Sequence, residues 1–141
     1  MSQRIEVKEG QRRLTVIWLA AFAITVVLLI AQTVGGKFGT DAGKAFSWFT
    51  PHVVPTLLLM IGAVAKEKES SPPATVDRFA FQLSQWLSVA YLVLLVATLL
   101  LQPLSGMTPF TMMNTAELWL GPMQGLVGLS LGAFFVSRKT D

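Results

Sequence analysis

The chain has 141 residues, of which 52% are hydrophobic and only 13% are charged, about half the charged fraction of a soluble domain. It contains no cysteine, which excludes disulfides, thiolate metal sites and thiol catalysis. Its net charge of +3 carries less information than the position of the charges, because they are confined to short segments. The composition therefore indicates an integral membrane protein.

Four windows contain no Asp, Glu, Lys or Arg: residues 14–36, 45–65, 79–103 and 118–137. Each reaches the roughly 20 residues that an α-helix needs to cross about 30 Å of hydrocarbon. None alternates in polarity as the strands of a membrane β-barrel do. We therefore predict an all-α protein forming a single transmembrane domain over residues 1–141. Its four helices are expected at about 14–36, 42–65, 78–103 and 115–137, with a cytoplasmic loop at 66–77.

The basic residues predict the orientation of these helices. Nine of the 11 Lys and Arg residues fall in the N-terminal tail, in residues 66–78 between the second and third windows, or in the C-terminal tail, and only Lys37 and Lys44 lie between the first and second windows. Short basic segments remain cytoplasmic. The pattern predicts a multi-pass protein of the bacterial inner membrane with both termini in the cytoplasm.

The second predicted helix contains the stretch WFTPHVVP, which holds the only histidine, His52, between Pro51 and Pro55. A proline has no N–H, so these two residues free the carbonyls of Ser47 and Pro51. An unsatisfied carbonyl in hydrocarbon costs several kcal/mol, so we expect a donor from a Ser or Thr hydroxyl, a neighbouring helix or water in a cavity. A helix starting at Pro51 and capped by Thr50 would be too short to span, and we favour a longer helix bent at the prolines.

His52 has two interpretations. It is either a proton-sensitive or pore-lining group, or a neutral imidazole that bonds one of the freed carbonyls or sits at the headgroup boundary. We favour the neutral imidazole. A single histidine in a chain without cysteine offers no metal-ligand cluster, so we expect neither a metal nor a cofactor.

The third predicted helix follows the mixed-charge segment KEKESSPPATVDR, which is typical of a solvated linker, and Thr75 or Asp77 is suited to cap it. Polar residues recur on one face of this helix. Together with polar residues of the neighbouring helices they form a candidate polar path, consisting of His52, Thr56, Ser84, Ser88, Tyr91, Thr98, Gln102 and Gln124. The favoured alternative is that these groups form hydrogen bonds between helices.

Before the fourth helix, the segment QPLSGMTPFTMMNTAE is expected to lie along the membrane surface. Asn114 and Glu117 have the spacing of a capping box, which favours Glu117 as a helix-start carboxylate rather than a buried acid. Pro122 frees a further carbonyl, and Trp119-x-x-Pro122 repeats Trp48-x-x-Pro51. The repeat suggests a parallel duplication of a two-helix hairpin, although Trp and Pro are also frequent near membrane interfaces.

The fourth helix also carries glycines spaced 4, 3 and 4 residues apart: Gly121, Gly125, Gly128 and Gly132. They share one face, and small residues on a membrane helix mark contacts between helices. This face either closes the bundle or forms a seam with another copy.

These features predict a non-catalytic protein, since the four windows hold no acid, no basic Lys or Arg and no nucleophile–base pair. The leading hypothesis is a homo-oligomer that forms or gates a pore, such as a membrane-permeabilising effector triggered by a protein partner at its cytoplasmic tail or loop. The alternatives are an accessory, anchoring or immunity subunit, and a carrier. The layout resembles small four-helix bacterial membrane proteins, including colicin immunity proteins, in architecture alone. The lipid bilayer is an expected partner and nucleic acid is not.

Overall fold

Four long helices dominate the structure, a computed structural model that describes residues 4–66 and 75–136. They are α1 (Val7–Val34), α2 (Ala42–Lys66), α3 (Arg78–Ser105) and α4 (Pro109–Val136). All four are long and apolar enough to cross a membrane. These helices confirm the predicted helical membrane fold and indicate a multi-pass membrane protein.

The helices extend beyond the charge-free windows where local interactions support them. At the start of α1, Arg13 forms an ion pair of 2.6 Å with Glu9 one turn earlier, a spacing that stabilises helices. At its end, Gly36 adopts a positive φ of 78°, which glycine tolerates without steric penalty. A short 3₁₀ turn, Gly39–Asp41, then leads directly into α2.

The fourth helix begins earlier than predicted. The prediction that Asn114 and Glu117 open it is wrong, because α4 starts at Pro109. Thr108 precedes it, and its Oγ1 accepts a hydrogen bond of 3.3 Å from the backbone N–H of Thr111. Proline suits the first helical turn, where its missing N–H has no partner to lose. The predicted surface segment is thus mostly helical, and only Gly106–Thr108 connects α3 to α4.

A small antiparallel ribbon lies at the opposite end of the bundle. Strand β1 (Arg4–Glu6) pairs with strand β2 (Thr75–Asp77), with Ile5 opposite Val76. The sequence did not predict this pairing of the N-terminal tail with the linker. Asp77 caps α3 as predicted, accepting a bond of 3.5 Å from Phe79 N–H. Residues 67–74 of the predicted cytoplasmic loop lie outside the described residues.

The helices pack as two neighbouring hairpins. The most extensive contacts join α3 to α4 and α1 to α2, and the hairpins meet where α1 lies against α3 and α2 against α4. Large side chains fill the space between them, including Trp18, Met60, Tyr91 and Leu95, all fully buried. The rings of Trp18 and Tyr91 stack with their centroids 6.0 Å apart. In lipid, such van der Waals packing and interhelical hydrogen bonds hold helices together.

Candidate functional site

Polar groups from three helices meet where the two prolines interrupt α2. We call this group the His52 cluster and define it as His52, the carbonyl of Pro51, Tyr91, Glu117 and Gln124. Pro51 and Pro55 both lie inside α2, so the alternative in which Pro51 starts the helix is wrong. The helix begins at Ala42 and contains both freed carbonyls.

The carbonyl that Pro55 frees is satisfied from α4. Gln124 Nε2 donates a hydrogen bond of 3.1 Å to Pro51 O, and Pro51 stands four residues before Pro55. The prediction that this carbonyl requires a donor is confirmed. The donor comes from a neighbouring helix, which is one of the expected sources, and it is Gln124 rather than the His52 imidazole.

His52 itself is buried, with 4% of its surface exposed. Its ring lies against Trp48, with centroids 4.9 Å apart, and its Nε2 is 3.1 Å from Glu117 Oε1. Despite this short distance, neither ring nitrogen forms a hydrogen bond among the described residues. Its backbone is better satisfied, because Tyr91 Oη donates a bond of 3.3 Å to the His52 carbonyl.

Glu117 is the member of the cluster that sequence reasoning missed. It lies inside Pro109–Phe135, the segment of α4 that is long and apolar enough to span a membrane, and its side chain is 45% exposed. The expectation that it merely opens the helix fails because α4 starts at Pro109. The Thr-Pro pair at residues 108 and 109 is the signal that could have found it, since Thr-Pro is a strong helix start.

A surface groove lies between the start of α2 and α4. It is lined by Thr40, Asp41, Gly43, Lys44, Ser47, Trp48 and Asn114. Trp48 also contacts the His52 ring, and Asn114 lies one turn before Glu117 on α4. Lys44 and Asp41 pair with each other across 3.3 Å. A second groove follows the proline-containing surface of α2 and includes Ser47, Thr50 and Pro51.

A second proline-freed carbonyl lies at the same end of the bundle. Pro103 is inside α3 and therefore frees the carbonyl of Leu99. Gln32 Nε2 and Lys37 Nζ both approach Leu99 O, at 3.4 and 3.3 Å. Desolvation by burial lowers the pKa of Lys37. The third helix was predicted to end at Pro103, so no donor for Leu99 O was expected.

The residues of the candidate polar path do not all meet. The structure brings His52, Tyr91 and Gln124 together in the cluster. Elsewhere, Ser84 Oγ donates to Ser130 O at 3.3 Å across α3 and α4, while Thr98 bonds Leu94 O in its own helix. Gln102 bonds Met107 O in the α3–α4 connection. Ser88 is fully buried without a partner among the described residues, and Thr56 is half-buried. A conducting role for this set remains a prediction.

The glycine face of α4, defined as Gly121, Gly125, Gly128 and Gly132, does not close the bundle. A Cβ added at any of the four would meet nothing within 4 Å among the described residues. Three of these glycines are exposed and Gly132 is half-exposed. Pro122 lies on the same helix, beside Leu118, which is 76% exposed.

In the described ranges, no three His, Asp or Glu side chains come together as a metal site would require. Comparison with known protein families, with curated proteins and with solved structures finds no match to this chain. The site must therefore be interpreted from its own geometry.

Proposed function

We propose that this protein is a homo-oligomer of the bacterial inner membrane, with both termini cytoplasmic, that forms or gates a pore at the junctions between its subunits. The observation that carries the proposal is the open glycine face of α4. It lies on a helix apolar enough to span the membrane, and no other described element covers it.

Glycines on a membrane helix favour association because they let two backbones approach closely. Facing lipid, they offer little surface for van der Waals contact. Their 4, 3, 4 spacing keeps all four on one side over several turns of α4. We propose that a helix from a second copy of the chain packs against the glycine face along its whole length.

We place the pore between subunits because the interior of each bundle is filled by fully buried side chains such as Trp18, Tyr91 and Leu95. The proline-containing surfaces of α2 and α4 would supply its polar groups. Pro51 and Pro122 free the carbonyls of Ser47 and Leu118, and both of those residues are exposed. Backbone carbonyls are established ion ligands in channels.

A protein partner is the proposed trigger, acting through the N-terminal tail or the cytoplasmic loop. The ribbon supports this because β1 belongs to the tail and β2 to the end of the loop. A partner that binds either segment would act on the other as well, and hence on the starts of α1 and α3 together.

One observation favours the accessory, anchoring or immunity alternative. Several polar groups of the candidate path are already engaged within the bundle: Ser84 bonds Ser130 O, Tyr91 bonds His52 O and Gln124 bonds Pro51 O. In this alternative, these polar groups stabilise the bundle through hydrogen bonds and do not line a pore. The glycine face would then receive a helix of another membrane protein.

Ion leakage from liposomes tests the proposal. Gly128→Leu should abolish the leak, because the larger side chain keeps the second helix away. Gly62→Leu is the matched control, since Gly62 lies in α2, away from the glycine face, and a Cβ there also meets nothing within 4 Å among the described residues. Liposomes that stay sealed with the wild-type protein, together with co-purification of a different membrane protein, would support the accessory alternative.

A further inference from the structure

We propose that His52 and Glu117 form a proton-binding site whose occupancy sets how tightly α2 holds α4. The inference goes beyond the proposed pore and does not depend on it. It rests on three observations: a buried imidazole without hydrogen-bond partners among the described residues, a carboxylate in contact with it, and a surface groove lined by Trp48, whose ring packs against the imidazole.

The His52 imidazole lacks the hydrogen bonds that its two ring nitrogens could form. A neutral imidazole carries one N–H donor and one acceptor nitrogen, and at His52 both nitrogens are buried without a partner among the described residues. Addition of a proton makes both nitrogens donors. One of them, Nε2, already lies 3.1 Å from Glu117 Oε1. A small rotation of the partly exposed Glu117 side chain would turn this contact into a charge-assisted hydrogen bond.

Glu117 is the charged group that faces the ring in the described structure. From α3, Tyr91 approaches the backbone of His52 rather than its ring, and from α1, Trp18 stacks on Tyr91. On α2 itself, the ring of His52 lies against Trp48. The nearby charges at the groove, Asp41 and Lys44, pair with each other. Protonation of His52 would therefore be balanced by Glu117.

Glu117 links the buried imidazole to the surface of the bundle. The Glu117 side chain is 45% exposed, and Trp48, which contacts the His52 ring, lines a surface groove together with Asn114. Both helices are interrupted close to the site, by Pro55 in α2 and Pro122 in α4. Because each proline removes a backbone hydrogen bond, these segments are held partly by side-chain contacts, and an ion pair between them would tighten the α2–α4 junction.

Because His52 is the only histidine, selective histidine labelling reports on this one site. We would record the ¹⁵N signal of the labelled full-length protein in lipid nanodiscs from about pH 8 to about pH 5, with His52→Gln to identify it by its loss. The expected result is a change in the ring nitrogen shifts from the neutral to the protonated pattern. Shifts that stay constant over this range would overturn the proposal.

The coupling to α4 is tested by thermal unfolding at about pH 8 and about pH 5.5. Acidification should raise the melting temperature of the wild type by roughly 2–4 °C more than it raises that of Glu117→Gln. A shift of this size is expected from a single charge-assisted hydrogen bond between His52 and Glu117. His52→Gln, which keeps the carboxylate, should also lack the gain. Glu9→Gln is the control, because it removes a carboxylate from an exposed ion pair with Arg13 and should respond as the wild type does. Equal gains in wild type and Glu117→Gln would overturn the proposal.

Discussion

The side-chain amide of Gln124 donates a hydrogen bond of 3.1 Å to the carbonyl oxygen of Pro51. The bond joins α4 to the point in α2 where Pro55 leaves the backbone without its own donor. A carbonyl that has no donor within α2 is therefore satisfied by a side chain of α4. The same arrangement recurs at Leu99 O, which Pro103 frees and which Gln32 and Lys37 approach.

Because Gln124 supplies the hydrogen bond that Pro55 removes, the effect of replacing Gln124 on the free energy of unfolding should depend on whether residue 55 is proline. Gln124→Leu should lower the free energy of unfolding by about 1 kcal/mol, because an interhelical bond is lost and a carbonyl is left unsatisfied. In a Pro55→Ala background the restored N–H of residue 55 satisfies Pro51 O, so the same substitution should have little effect. Reversible unfolding in mixed detergent measures both values.

Gln82→Leu is the matched control for this cycle. Gln82 is exposed on α3, so its replacement tests the effect of losing a glutamine without losing the bond to Pro51. If Gln124→Leu cost the same with and without Pro55, the proline would not be the reason for the contact.

Lys37 predicts a pH dependence at the other proline site. Burial lowers its pKa below the ordinary value of 10.5, so just below that value the unfolded chain binds more protons than the folded one. Stability should therefore rise with pH in this window. The melting temperature should increase from about pH 8 to about pH 10 more in the wild type than in Lys37→Met. Lys44→Met, which alters a largely exposed lysine, should keep the wild-type gain, and its loss there would contradict the assignment.

At Gly10, α1 packs so closely against two aromatic side chains that a larger residue should not fit without a rearrangement. A Cβ there would lie 2.8 Å from Phe134 Cζ and 2.9 Å from Phe81 Cδ2. Gly10→Ala should destabilise the protein by about 1–3 kcal/mol through overpacking. Gly62→Ala, where the added methyl group meets open space, should be neutral or stabilise α2 by about 0.5–1 kcal/mol. Denaturant unfolding compares them, and equal effects would argue against the packing at Gly10.

The ribbon can be trapped because the chain has no cysteine of its own. Ile5 and Val76 are directly opposite, and facing residues in an antiparallel pair have Cα atoms about 4.5–5.5 Å apart, within reach of a disulfide. Ile5→Cys combined with Val76→Cys should therefore cross-link on mild oxidation, detected by the mass loss of two hydrogens. Glu6→Cys with Val76→Cys is one residue out of register and should cross-link far less. Equal yields would contradict the pairing.

Much of the fold could be predicted because a bilayer restricts the choices. Charge-free windows of sufficient length give the number and the approximate position of the helices. The positions at which the helices begin and end depend on short-range contacts. These contacts cannot be recognised from the charge or hydropathy of a whole window. Thr108 and Pro109 start α4 within an apolar segment, and the Glu9–Arg13 pair allows α1 to continue through charged residues.

The site was predicted only in part. Backbone chemistry required a donor for Pro51 O, but the identity of that donor depends on how α4 lies beside α2, which one sequence does not specify. Glu117 was misjudged for the same reason: its contact with His52 joins residues far apart in the chain. The glycine face was predicted from spacing alone, while its openness is visible only in the folded bundle.

Native mass spectrometry of the protein released from nanodiscs tests the central claim most directly. The account predicts a single homo-oligomer larger than a monomer for the wild type and for Gly62→Leu, and a monomer for Gly128→Leu. A wild-type protein that is monomeric at every concentration, or a Gly128→Leu variant that assembles as the wild type does, would contradict it.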